Sequence, residues 1–180
     1  MLRGAIIGLG KIAQTGHIPA YLSKRVKNKI DIVAGVDISE SNSKIFLKLI
    51  PGARVFSSAD EMYKNQKIDF VDICVPPHLH TDYIKSALKN NVAIICEKPF
   101  TKSVKEAKLL KKKLIGSKTV FFPCHQYKYS PIWSNFNKFT AKNNKGVFLQ
   151  FNIFRNTADK GFDNKNPGWR TDKKFSGGGI

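Results

Sequence analysis

The sequence predicts an α/β fold built on a doubly wound parallel sheet, and three observations carry that prediction. Short apolar runs alternate with segments of helical periodicity along most of the 180 residues, the pattern of repeated strand–helix–strand units. The first run, Leu2 to Leu9, passes directly into Gly8-Leu9-Gly10-Lys11-Ile12-Ala13. A later run, Val92-Ala93-Ile94-Ile95-Cys96, ends in Glu97-Lys98-Pro99 and so places a carboxylate and an ammonium at the carboxyl end of a strand that reads as buried on both faces. Open α/β sheets bind their ligands along that edge. A solvated turn is the other reading of Glu-Lys-Pro taken alone.

Taken in order, the first strand and its glycine turn form a dinucleotide fingerprint with alanine in the third small position. Gly8 permits the tight turn, Gly10 lets a pyrophosphate approach the backbone, and Ala13 keeps the next helix close to the strand. The amides at the helix start, around Lys11 and Ile12, then face the phosphates. The second strand, Ile30 to Val36, ends in Asp37, 24 residues beyond Ala13. A carboxylate there can accept both adenosine ribose hydroxyls and would repel a 2′-phosphate, which favours NAD and leaves NADP possible. The alternative is that Asp37 caps the helix beginning near Ser39.

The pattern then continues. Ser41 to Ile50 has helix-spaced apolar residues and stops at Pro51-Gly52; Arg54 to Phe56 is a short strand; Ser58 to Asn65 is a helix with Asp60 and Glu61 in its first turn. Asp69 to Val75 is the fourth strand, stopped by Pro76-Pro77. His78 to Asn90 is a helix, Val92 to Cys96 the fifth strand, and Ser103 to Ile115 a helix opened by the capping box Ser103-x-x-Glu106. Thr119 to Pro123 is the sixth strand and completes a domain over residues 1–123. Pro131 to Lys142 reads as a helix and Val147 to Phe154 as the first strand of a second α/β domain, of which residues 124–180 hold only the beginning.

Composition bounds the functions open to such a chain. A hydrophobic share of 42% fits a globular protein. No apolar run reaches membrane-spanning length, and the apolar start is too short for a signal peptide, so the expected location is the cytoplasm. Cys74, Cys96 and Cys124 sit in apolar runs without metal-ligand spacing and read as buried free thiols, with no metal site expected. The formal charge of +18 invites a nucleic-acid reading, but the lysines are scattered, as at Lys102, Lys105, Lys108 and Lys111 to Lys113, with no recognition motif among them. Nonspecific association at low salt is expected from charge alone; a specific nucleic-acid partner is not.

Several motifs in one order resemble the amino-terminal half of the Gfo/Idh/MocA family of nicotinamide-dependent oxidoreductases. They are Gly8 to Ala13, His17-Ile18-Pro19, Asp37, Val75-Pro76-Pro77-His78-Leu79-His80, Glu97-Lys98-Pro99-Phe100, Gln126 to Pro131, and Gly168-Trp169-Arg170 before the triple glycine. The resemblance implies a Rossmann domain followed by a domain whose open sheet frames a sugar, sugar-derivative or cyclic-polyol substrate and, in a full-length parent, a homo-oligomer interface. It makes Lys98 the catalytic lysine, able to polarise the substrate oxygen or relay its proton. Glu97 would accept hydrogen bonds from the nicotinamide ribose, and Pro99 would fix the turn, as a cis peptide in many relatives. Pro76 and His80 would lie beneath the nicotinamide and Gln126 near the cofactor, while Trp169 and Arg170 match a loop near the substrate. His80 and His17 have packing or helix-end roles as their competing readings. Lys128 stands where relatives more often carry arginine, and lysine lacks the two-pronged fork.

In the family the glycine run opens a helix bearing an aspartate and, four residues later, a histidine that complete the proton relay. Ile180 precedes both. A truncated reading frame or one part of a split protein is therefore expected, with this chain alone inactive. Three function classes remain open: a hydride-transferring dehydrogenase, a dinucleotide-binding module without chemistry, and a basic nucleic-acid binder.

Overall fold

A computed structural model describes residues 1–141, 148, 150, 152, 154, 168, 169 and 171–176. Six parallel strands form one sheet: β1 (Leu2–Ile7), β2 (Ile30–Val36), β3 (Arg54–Phe56), β4 (Phe70–Ile73), β5 (Ala93–Cys96) and β6 (Phe121–Pro123), in the order β3-β2-β1-β4-β5-β6. That order reverses between β1 and β4, the arrangement of a Rossmann sheet. All six expected strands are present. β1 ends at Ile7 rather than Leu9 because the chain turns at Gly8, where φ is 91°.

Alternation along the strands builds two cores. Ala5, Ile7, Val71, Ile73, Ile94 and Cys96 point to one face and pack with Met62, Ile84 and Leu110 from α3 (Ala59–Asn65), α4 (Pro77–Lys89) and α5 (Val104–Ile115). Ile6, Ile32 and Phe70 point to the other face and meet Leu9, Ala13, Ile18 and Phe46. Phe46 belongs to α2 (Glu40–Leu49). Ala13 and Ile18 lie on a helix running from Lys11 to Leu22, whose last turn is α1 (Ile18–Leu22). The same alternation places Asp72 on this second face, fully buried.

The helix ends follow from their capping residues. Ser39, Ser58 and Ser103 each accept a hydrogen bond from the backbone N–H three residues on, at Asn42, Glu61 and Glu106. Only that half of the expected capping box at Ser103 is formed, because the Glu106 carboxylate accepts from Thr81 Oγ1 instead. α4 begins at Pro77, one residue before the expected start, as suits proline in a first turn. Beyond β6, a 3-10 turn at Gln126–Tyr129 leads into α6 (Pro131–Ala141). Of the strand expected over Val147 to Phe154, positions 147, 149, 151 and 153 lie outside the described residues, and Phe148, Gln150, Asn152 and Phe154 are not in a strand. Further along, α7 (Lys173–Ser176) packs on α4, with Phe175 edge-on to His78 at 4.8 Å.

Gly8 and Gly52 share a left-handed backbone, with φ of 91° and 94°, but not their surroundings. A β-carbon on Gly8 would lie 2.8 Å from the Val75 nitrogen, whereas one on Gly52 meets nothing within 4 Å. Gly52→Ala should cost about 1–2 kcal/mol for the backbone alone, and Gly8→Ala about 1–3 kcal/mol more for the clash. Thermal unfolding of the two variants checks this; equal losses would contradict it.

Candidate functional site

The two chain crossings at the β1/β4 reversal face each other across one cleft of about 830 Å³. Gly8, Gly10, Lys11 and Ile12 line it from the first turn, Asp37 from the tip of β2, Pro76 from beyond β4, and Glu97, Lys98 and Pro99 from beyond β5. Gln126 and Trp169 complete the wall. Of the expected site residues, then, all of these converge. Arg170 lies outside the described residues.

His80 is the exception. It is fully buried and takes no part in the cleft lining. Its ring nitrogens face two backbone carbonyls, Nδ1 at 2.9 Å from that of Pro99 and Nε2 at 2.7 Å from that of Val75. The side chain therefore clasps the Val75 turn to the Glu97-Lys98-Pro99 turn, whose Lys98–Pro99 peptide is cis. Burial keeps its proton affinity below the ordinary histidine value despite both carbonyls. Any part it has in cofactor binding acts through the turn it holds.

At the glycine turn, a β-carbon on Gly10 would meet nothing within 4 Å and would project into open space. Glycine is thus required by the fold at position 8, whereas nothing around position 10 in the fold requires it. The first amides of the Lys11–Leu22 helix have no intrahelical acceptors, which suits an anion at this end.

Asp37 holds this turn in shape. Its Oδ2 accepts from the Leu9 N–H at 2.7 Å and from Asn42 Nδ2 at 3.2 Å, and its Oδ1 accepts from the Ser39 N–H at 2.7 Å. Both sequence readings of Asp37 thereby have a physical basis: it orders the start of α2, although Ser39 is the cap itself, and it lines the cleft. A carboxylate offers about four acceptor positions. Three are engaged, which leaves room for one ribose hydroxyl and for a second only where the long Asn42 bond yields.

The part of the site that sequence reasoning missed lies under Glu97. A π-helical segment, Ala13–His17, widens the Lys11–Leu22 helix, with the Ile18 N–H donating to the Ala13 carbonyl. Pro19 follows at once and has no N–H to donate, a frequent cause of such distortion. His17 ends the segment with Nδ1 at 2.7 Å from Asp72 Oδ2 and Nε2 at 3.1 Å from Glu97 Oε1. Tyr21 donates to Asp72 Oδ2 at 2.8 Å, and Glu97 Oε2 accepts from the Lys98 N–H at 3.2 Å. The available signal was an acid inside an otherwise apolar strand, Asp72, which requires a buried partner.

Electrostatics follow the geometry. Burial, the largest influence on His17, opposes its charge, but hydrogen bonds and attraction to Asp72 and Glu97 together outweigh it and raise the ring to about 10. For Glu97 burial acts upward, and His17 and Lys98 bring the net shift below the usual carboxylate range. The thiols go the other way. Burial, with Asp72 and Glu97 nearby, raises Cys74, and raises Cys124 to about 12, so neither is a thiolate near neutrality. Cys124 is half-buried rather than buried as expected. Among the described residues, His17 with Asp72 and Cys74, and again with Glu97 and Cys124, brings metal-ligand atom types within 4.8 Å, a proximity that sequence spacing did not reveal. Both ring nitrogens already face carboxylates at hydrogen-bond length, so an ion there would have to displace a proton.

Residues 2–125 match the family described as "Oxidoreductase family, NAD-binding Rossmann fold". Inositol 2-dehydrogenase from Arthrobacter sp. (strain FB24) is 36% identical over 106 residues, which make up 59% of this chain and 31% of that protein. Among solved structures, an oxidoreductase from Thermotoga maritima aligns with a TM-score of 0.74 at 26% identity, covering 78% of this chain and 43% of the other. The WlbA dehydrogenase from Bordetella pertussis, solved with NADH and UDP-GlcNAcA, aligns with a TM-score of 0.72 at 20% identity, covering 78% and 41%. The chain spans less than half the length of each of these relatives. No helix among the described residues is long and apolar enough to cross a membrane.

His17 sets a pH dependence of stability. Its proton affinity rises on folding from 6.5 to about 10, so its contribution is fully present below about pH 6.5 and is lost as pH rises through about 10. The difference in Tm between the protein and His17→Gln should shrink steadily over that interval. A difference independent of pH would contradict the assignment.

Proposed function

Because the chain belongs to the Gfo/Idh/MocA family of NAD-binding oxidoreductases, we propose that its cleft binds NAD, and that the protein carrying it moves hydride between this cofactor and a hydroxyl or carbonyl group of a sugar, sugar derivative or cyclic polyol. One observation carries the reading: the glycine turn and the Glu97-Lys98-Pro99 turn, far apart in sequence, line the same cleft. The residues fit such a cofactor. Gly10 leaves the backbone open where phosphates would lie, the helix start supplies free amides, and Asp37 offers a carboxylate at the tip of β2. The names of the inositol dehydrogenase and of the WlbA dehydrogenase solved with a nucleotide sugar support the substrate class.

When bound, nicotinamide supplies the hydride acceptor or donor; the chain supplies position and charge. Lys98 brings an ammonium to the cleft, where it can hold a substrate oxygen and take or return its proton. Glu97 presents its carboxylate beside it, and Pro99 with His80 beneath fixes the turn that carries both. Asp37 favours NAD over a 2′-phosphorylated cofactor by charge. We assign residues 1–123 to the cofactor domain and the chain beyond them to the start of a substrate domain, with Trp169 as a contact there. A cytoplasmic, homo-oligomeric parent fits this reading.

Fluorescence titration of the protein with NADH tests cofactor binding. Gly10→Ala should weaken NADH by about tenfold, the equivalent of roughly 1.4 kcal/mol, without lowering Tm. Asp37→Ala should weaken NADH more than NADPH. An unbound NADH, or equal losses for the two cofactors in Asp37→Ala, would contradict the site or the ribose assignment respectively. Lys98→Met should leave NADH binding intact and, in the whole protein, lower kcat by a factor of about 10²–10⁴; an unchanged kcat would contradict the role given to Lys98.

A further inference from the structure

The buried polar chain beneath the cleft has a direction. Tyr21 donates to Asp72, His17 bridges Asp72 and Glu97, and Glu97 ends the chain at the cleft wall next to Lys98. Asp72 is fully buried, while the His17 and Glu97 side chains are 14% and 13% exposed. Ionised carboxylates only accept hydrogen bonds, so each ring nitrogen of His17 must donate. A neutral imidazole has one N–H and would leave one carboxylate facing a lone pair.

We propose that His17 is a positioning residue of the active site, a doubly donating imidazolium that fixes the Glu97 carboxylate in the cleft, with Asp72 and Tyr21 holding the ring in that state. The proposal rests on the dehydrogenase reading for its consequence in catalysis, but its physical content concerns this chain alone. The ring engages one Glu97 oxygen, the Lys98 N–H engages the other, and the remaining acceptor positions are left for the cleft. Charge is conserved as well as geometry. Asp72 offsets the imidazolium, so Glu97 keeps its negative charge beside the Lys98 ammonium instead of being neutralised by His17. Without the ring, two poorly solvated carboxylates would face each other and one would take up a proton.

The groups facing His17 are Asp72 on β4 and Glu97 beyond β5, with the Cys74 and Cys124 sulfurs within 4.8 Å; Lys98 acts on Glu97, and Tyr21, on the same helix as His17, meets Asp72. The two thiols are protonated near neutrality and Tyr21 is held un-ionised by burial, so the imidazolium is the counter-charge between the carboxylates.

Two measurements test the proposal. Nitrogen-15 NMR of the histidine rings in the unmodified protein at about pH 8, well above the ordinary histidine range, should show His17 protonated at both nitrogens. A neutral ring there overturns the proposal whether or not any variant folds. Carboxyl carbon NMR should then show Glu97 titrating at higher pH in His17→Gln than in the unmodified protein, and returning toward its original value in His17→Gln/Asp72→Asn, where the opposing charge is gone. NADH titration in parallel should show affinity about tenfold weaker in His17→Gln, the worth of one hydrogen bond to a charged group, with partial recovery in the double variant. An unmoved Glu97 titration overturns the positioning role. A moved titration in a protein that never binds NADH supports the positioning of Glu97 and overturns the dehydrogenase reading instead.

Discussion

Everything in this molecule depends on how closely two neighbouring strands approach at the point where the sheet reverses its order. β1 and β4 are adjacent, yet the chain leaves them toward opposite faces, and the gap between the two departures is the cleft. Gly8 makes the crossing possible, since any side chain there would run into the backbone at Cys74 and Val75. The apolar cores on the two faces then lock the strands in register, and the crests carrying the glycine turn and the Glu97-Lys98-Pro99 turn have no choice but to face each other.

A second constraint is electrostatic. An acid on the central strand, Asp72, would be costly to bury alone. The widened helix before Pro19 delivers His17 to it, and Tyr21 one turn later adds a hydroxyl. Because the far side of the ring reaches Glu97, satisfying a buried acid also orders a carboxylate at the cleft wall. On the other side of the same turn, His80 joins Val75 to Pro99 through backbone carbonyls. Two histidines, neither on the cleft floor as a proton donor, thus brace the segment bearing Lys98 from below.

Most of this fold was legible because its signals are local. Strand alternation, the serine cap at position 103, and proline or glycine at the turns each act over a few residues, and all six strands stand where those signals point, within two residues at each end. The cleft lining was legible for a related reason, since Gly10, Asp37 and Lys98 sit at strand ends whose order is dictated by the sheet. What could not be read was pairing through space. His17 and Asp72 are 55 positions apart and His17 and Glu97 are 80 apart, and a π-helical turn leaves no periodicity that separates it from an ordinary helix. His80 showed the converse: its place in a motif pointed toward the cofactor, while its burial turned both nitrogens to the backbone.

The most direct test of the central claim is a crystal structure of this protein soaked with NADH. The account predicts one nucleotide spanning the cleft, its pyrophosphate against the backbone of Gly10 to Ile12 and its nicotinamide beside Glu97, Lys98 and Pro99. A nucleotide seated elsewhere, or one touching the glycine turn while its nicotinamide points away from Lys98, would contradict it.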